Sequence, residues 1–212
     1  MHSNPEESCP DTLVTLGHYH LWAGGIEHND ISVKNLMYDK LNDDHGILND
    51  YDLAHLYGSP RPSGTERTGT MPFMALDLLT DSAWEGKITR RYRHDCESFA
   101  WVLFWICCRY DGGKEISTPP LNELITGDYN QCFEKKHTIF SRIDHIVATP
   151  SYKTIWNASV ALLHLFLMQR LDQEMRVPGS EPLKEPTINE MLERCQKVME
   201  GQKVSFDLPS VI

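Results

Sequence analysis

The first 33 residues contain no lysine or arginine, the chain has no G-x-G-x-x-G, and its six cysteines form no C-x-x-C pair. The missing glycine motif excludes the common backbone cradle for nucleotide phosphates. The cysteine spacing gives no zinc ribbon, dithiol motif or disulfide framework, so Cys9, Cys96, Cys107, Cys108, Cys132 and Cys195 read as reduced, buried thiols. The start "MHSNPEESCPDT" has neither a basic flank nor an apolar stretch, which gives no support to a secretory signal. The most apolar windows, residues 99–108 and 160–168, are shorter than the ~18 residues that a bilayer span needs. Basic charge is also scarce: 20 Lys and Arg against 30 Asp and Glu give a formal net charge of −10. Nucleic-acid and anionic-membrane surfaces depend on accumulated cations, so neither is expected as a partner. The expected location is cytoplasmic or nuclear, not secreted.

What is present is ordinary globular material, 212 residues at 41% hydrophobic and 24% charged, enough for one substantial core. Apolar spacing predicts a helix over about 12–24, stopped at Gly24-Gly25. "NLMY" and "GILN" read as the two strands of a hairpin around the turn-rich "DKLNDDH". The segment "GSPRPSGTERTGTMP" has no periodicity and is rich in hydroxyls, the composition of a functional loop. From Asp95 the pattern turns helical and apolar almost all round, ending at Asp111-Gly112-Gly113. A long helix over about 152–175 follows, then a last one opened by the capping-box pattern Thr187-Ile188-Asn189-Glu190. The expected fold is mainly α, a helical bundle carrying one small β-hairpin.

The chemistry gathers on the flanks of that hairpin. In "EHNDISVKNLMYD", residues 27–39, His28, Asp30 and Asn35 stand in an H-x-D-x-x-x-x-N spacing, and Asp50-Tyr51-Asp52 follows 15 residues beyond the Asn. A carboxylate that orients an acceptor hydroxyl, with an amide and a second carboxylate that hold magnesium, is the donor set phosphoryl transfer requires. This arrangement resembles the catalytic and metal loops of protein kinases. "GTMPFMALD", residues 69–77, looks like the kinase segment ending in A-P-E, with Ala75-Leu76-Asp77 at its end. "HNDIS", "DYDLA" and "YRHDCESFAWVLFWIC" are similar to the spellings of the fungal-type protein kinase family.

The resemblance implies a protein-kinase-like C-terminal lobe over 12–200, preceded by a disordered start at 1–11 and followed by a tail at 201–212. Within it, 12–25 would be helix, 26–35 catalytic loop, 36–49 hairpin, 50–79 activation segment and 94–200 helical subdomain. It implies ATP-dependent transfer to Ser or Thr of a protein substrate, with ATP and Mg²⁺ as cofactors. Asp30 would be the catalytic carboxylate, Asn35 and Asp50 the metal and cofactor ligands, and Thr70 the hydroxyl beside Asp30 that favours Ser/Thr acceptors. His28 would be a scaffold residue. Ser32 replaces a lysine that meets the transferred phosphate in many such enzymes, and Lys34 is assigned that charge by its spacing. Asn29 replaces the arginine before the catalytic Asp, removing its pairing with a phosphorylated loop residue. Asp52 stands where Gly would take φ > 0 freely, which stiffens the metal loop, and Asp77 shortens a structural Glu.

With no nucleotide-gripping lobe in the sequence, the expectation is a C-lobe inactive alone, completed by a missing N-lobe or partner protein. A non-catalytic, pseudokinase-like interaction module is the alternative, and a small-molecule phosphotransferase of the aminoglycoside or choline type is another; "GTMPFMALD" argues against the latter. The histidines His18 and His20 point apart on a helix and form no metal site. Lys87, Arg90, Arg91 and Arg93 read as a solvated or salt-bridging face.

Overall fold

The computed structural model describes residues 18–39, 45–59, 69–175 and 186–202. The expected disordered start, most of the tail and the loop at 60–68 lie outside them. The architecture is mainly helical, with three two-stranded antiparallel sheets among the described residues.

Helix α1 is described over 18–23 and closes where the Gly24 and Gly25 amides turn back to the His20 and Trp22 carbonyls, with Gly25 at φ 85°. Strand β1, Ile26–Glu27, follows. Strands β2, Leu36–Asp39, and β3, His45–Leu48, form the hairpin read from the sequence, in the register Leu36↔Leu48 and Met37↔Ile47. Period-two alternation turns Leu48 into the core and leaves Met37 and Ile47 outward and exposed. Strand β4, His55–Leu56, returns to pair with β1. Sequence pattern missed that pairing because two residues carry no readable alternation.

Two 3₁₀ turns, Met71–Phe73 and Leu76–Leu79, and the short helix α2, Asp81–Trp84, lead into helix α3, Tyr92–Arg109. That helix begins at Tyr92, three residues before the expected start. The Arg91 amide donates to His94 Nδ1 (3.0 Å) and closes the first turn, a cap without the usual Ser, Thr, Asp or Asn. Its ~27 Å of length is buried almost all round. Phe104 stacks on Trp156 with centroids 5.0 Å apart, Trp101 meets Phe140 at 5.6 Å and Trp105 meets Phe73 at 5.3 Å. Strands β5, Tyr110–Asp111, and β6, Lys114–Glu115, form a tight hairpin at its end, where the sequence indicated only a stop.

Helix α4, Tyr129–Ser141, was not foreseen at all. The long helix α5 runs Trp156–Glu174, shorter than expected because a separate 3₁₀ turn takes up Pro150–Tyr152. Helix α6, Ile188–Gly201, opens on the predicted capping box: Glu190 donates its amide to Thr187 Oγ1 (3.2 Å), and the Thr187 amide donates to Glu190 Oε2 (2.6 Å). Cys96, Cys107, Cys108 and Cys132 are buried free thiols and Cys195 is half-buried; Cys9 lies outside the described residues. No helix among the described residues is long and apolar enough to cross a membrane.

Candidate active site

The stretch from β1 to β2 carries one left-handed residue, Asn29 at φ 70°, and one 3₁₀ turn, Val33–Asn35. His28, 1% exposed, sits beneath it and joins two loops. Its Nδ1 accepts the Asp30 amide (3.3 Å), so Nε2 carries the proton and donates to the Asn49 carbonyl (3.0 Å). Burial lowers the pKa of this imidazole, consistent with one neutral tautomer. The Tyr51 ring meets it edge-on, with centroids 4.7 Å apart. The scaffold position expected for His28 is where the structure places it.

Asp30 is the centre of the network. Its Oδ1 accepts both the amide and the hydroxyl of Thr70, each at 2.7 Å. Asn35 Nδ2 donates to Asp30 Oδ2 (3.0 Å) and to the Asp30 carbonyl (2.9 Å). Asp30 and Asn35, singled out by spacing, and Thr70, singled out by the resemblance, are thus within hydrogen-bond reach, although Thr70 lies 40 positions from Asp30. Carboxylate oxygens held by several donors are fixed in direction, as a group that must orient a hydroxyl needs to be.

Asp50 reaches the same corner through backbone: the Asn49 amide donates to the Asn35 carbonyl (2.8 Å), so the residue before Asp50 is pinned against Asn35. Asp50 is exposed and takes φ 64°. The left-handed residue of this loop is therefore Asp50 and not Asp52, which corrects the expectation that Asp52 stands at the φ > 0 position and stiffens the loop there; Asp52 instead donates its amide to Asp50 Oδ1 (3.4 Å). Asn35 Nδ2 donates twice to Asp30, so Oδ1 is the atom of this side chain that could ligate a cation. Asn35 Oδ1 and the Asp50 carboxylate are hard oxygen donors, a set that suits Mg²⁺, which takes one or two protein carboxylates and completes its shell with phosphates and water. Among the described residues no cluster of three or more His, Cys, Asp or Glu could hold a metal by itself. Lys34, assigned to the phosphate by spacing, is exposed in the 3₁₀ turn and has no ion-pair partner among the described residues.

The segment after Thr70 is held from below by Glu97, Lys136 and Arg170, which sequence reading did not single out, together with Asp77 and Arg93. Glu97 Oε1 accepts the Leu76 amide (2.9 Å) and the Trp101 indole N–H (3.3 Å). Lys136, fully buried, donates to the Met74 carbonyl and lies 4.1 Å from the Trp101 ring centroid. Burial pulls its amine down to about 8 against the attraction of Cys132 and Glu97, while burial pushes Glu97 up. Asp77 pairs with Arg93 (2.5 Å) and with Arg170 of α5. Burial alone would raise its pKa, but His94 and Arg93 outweigh burial and hold it well below the usual carboxylate range. The basic group 87–93 is thus salt-bridging more than solvated: Lys87 meets Glu85 (2.5 Å), and Arg90 meets Asp95 (2.8 Å). The available signal was a lone charge inside an apolar helical run, as with Glu97, which implies a buried partner.

Gly69, at φ 122°, shows how tightly the loops close: an added Cβ would lie 3.1 Å from the Asn29 carbonyl and 3.2 Å from Met74 Cγ. Gly69→Ala should cost about 1–3 kcal/mol, read as a lower urea midpoint, because an L side chain is strained at this φ and would press on the Asn29 carbonyl and Met74. An unchanged midpoint would show that the segment moves freely.

Residues 14–107 match the family model described as "Fungal protein kinase", which supports the recognition drawn from the loop and helix motifs. The match runs from before the described part of α1 to Cys107, two residues before the end of α3. Among curated proteins there is no match.

Proposed function

We propose that this chain carries the acceptor- and magnesium-positioning half of a protein kinase that phosphorylates Ser or Thr. The observation that carries the reading is the Thr70–Asp30–Asn35 network, built from the catalytic-loop spacing inside the matched stretch. In this reading Asp30 receives the hydrogen bond of an incoming Ser or Thr hydroxyl. The hydroxyl oxygen forms a bond to the γ-phosphorus, the bond from that phosphorus to the ADP oxygen breaks, and the hydroxyl proton passes to Asp30. Thr70 Oγ1, bound to the same carboxylate, sets the direction from which a small hydroxyl side chain arrives. Asn35 and Asp50 would hold Mg²⁺, which supplies neutralisation of phosphate charge when bound. Lys34 would bring its ammonium to the transferred phosphate.

Because the 212 residues contain no G-x-G-x-x-G, the positive clamp on the α- and β-phosphates would come from a separate nucleotide-gripping lobe or a partner protein. Transfer by these residues alone would then be slow. The exposed Met37 and Ile47, a cross-strand apolar pair beside the metal loop, offer a surface for the nucleobase or for such a lobe. The same surface favours, as a second reading, a non-catalytic interaction module.

Titration with a fluorescent ATP analogue separates the two. Binding should require magnesium and weaken at least about tenfold in Asp50→Asn, which keeps a residue tolerant of the left-handed φ and removes one ligand charge. Binding that ignores both magnesium and Asp50 would remove the kinase reading and leave the interaction module.

A further inference from the structure

We propose that Cys96 and Cys195 are a redox-responsive thiol pair, which a peroxide converts to a disulfide that locks helix α6 onto helix α3. Neither thiol belongs to the site around Asp30, so the pair is independent of the phosphotransfer reading. Helix periodicity sets the two sulfurs on facing surfaces. On α6, Met191, Leu192 and Met199 are buried, and Cys195 and Val198 pack against the same core, one inward stripe at helical spacing. On α3, Tyr92 and Cys96 are buried one turn apart. The two helices pack on each other, and the Cys96 and Cys195 thiols are hydrogen-bond partners. The start of α6 is held from a second side, where the Tyr19 hydroxyl of α1 donates to Asn189 Oδ1 (2.7 Å).

Both thiols are free, and a disulfide needs Cβ atoms roughly 3.5–4.5 Å apart, so it forms only between cysteines that already face each other. Other buried thiols are engaged with backbone: Cys108 Sγ donates to the Trp105 carbonyl (3.6 Å) and Cys132 Sγ to the Met71 carbonyl (3.5 Å). The surroundings of the pair also order the chemistry. Cys195 is half-buried, so a dissolved peroxide reaches it first. Burial pushes the Cys96 thiol well above its ordinary range, and neighbouring Cys195 and Asp95 add to that, which keeps Cys96 from reacting on its own. A peroxide oxygen bonds to the Cys195 sulfur and the O–O bond breaks, leaving a sulfenic acid and releasing water. The Cys96 sulfur then bonds to that sulfur, the S–O bond breaks, and hydroxide leaves with the Cys96 proton as a second water. The two thiols together lose two electrons, and one peroxide gains them. Cys96 follows Asp95, whose carboxylate meets His18 of α1 (3.0 Å). The new bond thus closes a loop of about 100 residues where α1, α3 and α6 come together.

Intact mass and peptide mapping of the reduced full chain, before and after hydrogen peroxide, test the pair. The expected product is lighter by two hydrogens, joins the peptide carrying Cys96 to the one carrying Cys195, and is reversed by a dithiol. Cys195→Ser, a conservative change at a half-buried position, should abolish the crosslink. Cys96→Ser should instead accumulate a sulfenic acid on Cys195 that a cyclic dione probe traps. Amides of α6 should exchange at least about tenfold more slowly in the crosslinked chain, because undocking no longer frees the helix. A crosslink from Cys195 to Cys9 or any other cysteine, a Cys195 sulfinic acid without a crosslink, or α6 exchange equal in both redox states would each overturn the lock.

Discussion

Asp95→Ala should destabilise the protein by about 3–5 kcal/mol, seen as a large fall in urea midpoint at pH 7. The carboxylate is fully buried near the start of α3. Arg90 donates to Oδ1 from Nη2 (2.8 Å) and Nε (3.3 Å), and His18 Nε2 lies 3.0 Å from Oδ2. Removing it leaves a guanidinium with 9% of its side chain exposed and no counter-charge, the situation in which breaking a buried pair is most costly. It also releases α1 from α3, since His18 reaches Asp95 from 77 residues away. Asp95→Asn, which keeps the shape and one acceptor, should lose less. A change under about 1 kcal/mol in Asp95→Ala would mean that Arg90 finds water and that the pair is ornamental to the fold.

The same residue sets an acid limit. Burial alone would raise the Asp95 pKa, but Arg90 and His18 hold it well below the ordinary value near 4. The stability it contributes is fully present above that unfolded-state pKa and is lost as pH falls through the lower folded-state value. Asp77 behaves alike, with its folded pKa also depressed. Urea midpoints should therefore fall in two stages, first below about pH 6.5, where the imidazoles of His28, His94 and His137, all lowered by burial, must charge, then below about pH 4 where the carboxylates protonate, with the second fall shallower in Asp95→Asn.

On the proposed reading, with a nucleotide-gripping lobe supplied, Asp30→Ala should reduce transfer to a Ser/Thr peptide by about 10²–10⁴-fold, the range for loss of a positioned proton acceptor. It should also free the activation segment. The carboxylate accepts from the Thr70 amide, the Thr70 hydroxyl and Asn35 Nδ2, and alanine leaves all three donors without that acceptor. Asp30→Asn separates the two roles: its amide oxygen can still accept from Thr70, so protection at Thr70 should largely survive while transfer does not. Transfer unaltered in both variants would assign the chemistry to another group.

The centre of the site was readable because it is written in short-range spacing. His28, Asp30 and Asn35 stand together before an apolar strand, where polar residues have no packing reason to be. Asp50 and Thr70 followed once the resemblance supplied an order. The supports were not readable. Lys136 breaks the apolar face of α4 with a charge, and the pattern there looks like solvated loop. Its pairing with Met74, 62 residues away, is a tertiary fact with no local signature. Arg91 and His94 begin α3 earlier than its apolar run because a ring nitrogen, not a hydroxyl, closes the first turn. The placement of φ > 0 at Asp50 instead of Asp52 likewise depends on how β3 ends, which residue type alone does not decide.

The anchoring of Asp77 by Arg170 has a consequence during synthesis. The two residues are 93 positions apart, and Lys136 joins the same platform from between them. A nascent chain that has released Asp30, Asn35 and Asp50 from the ribosome still lacks Lys136 and Arg170 beneath residues 74–77. At translation speeds of about 5–20 residues per second, the loops wait several seconds for their floor. During that interval Asp77 has Arg93 but not Arg170, and Glu97 has Trp101 but lacks the Lys136 charge, so the platform under residues 74–77 is only half built.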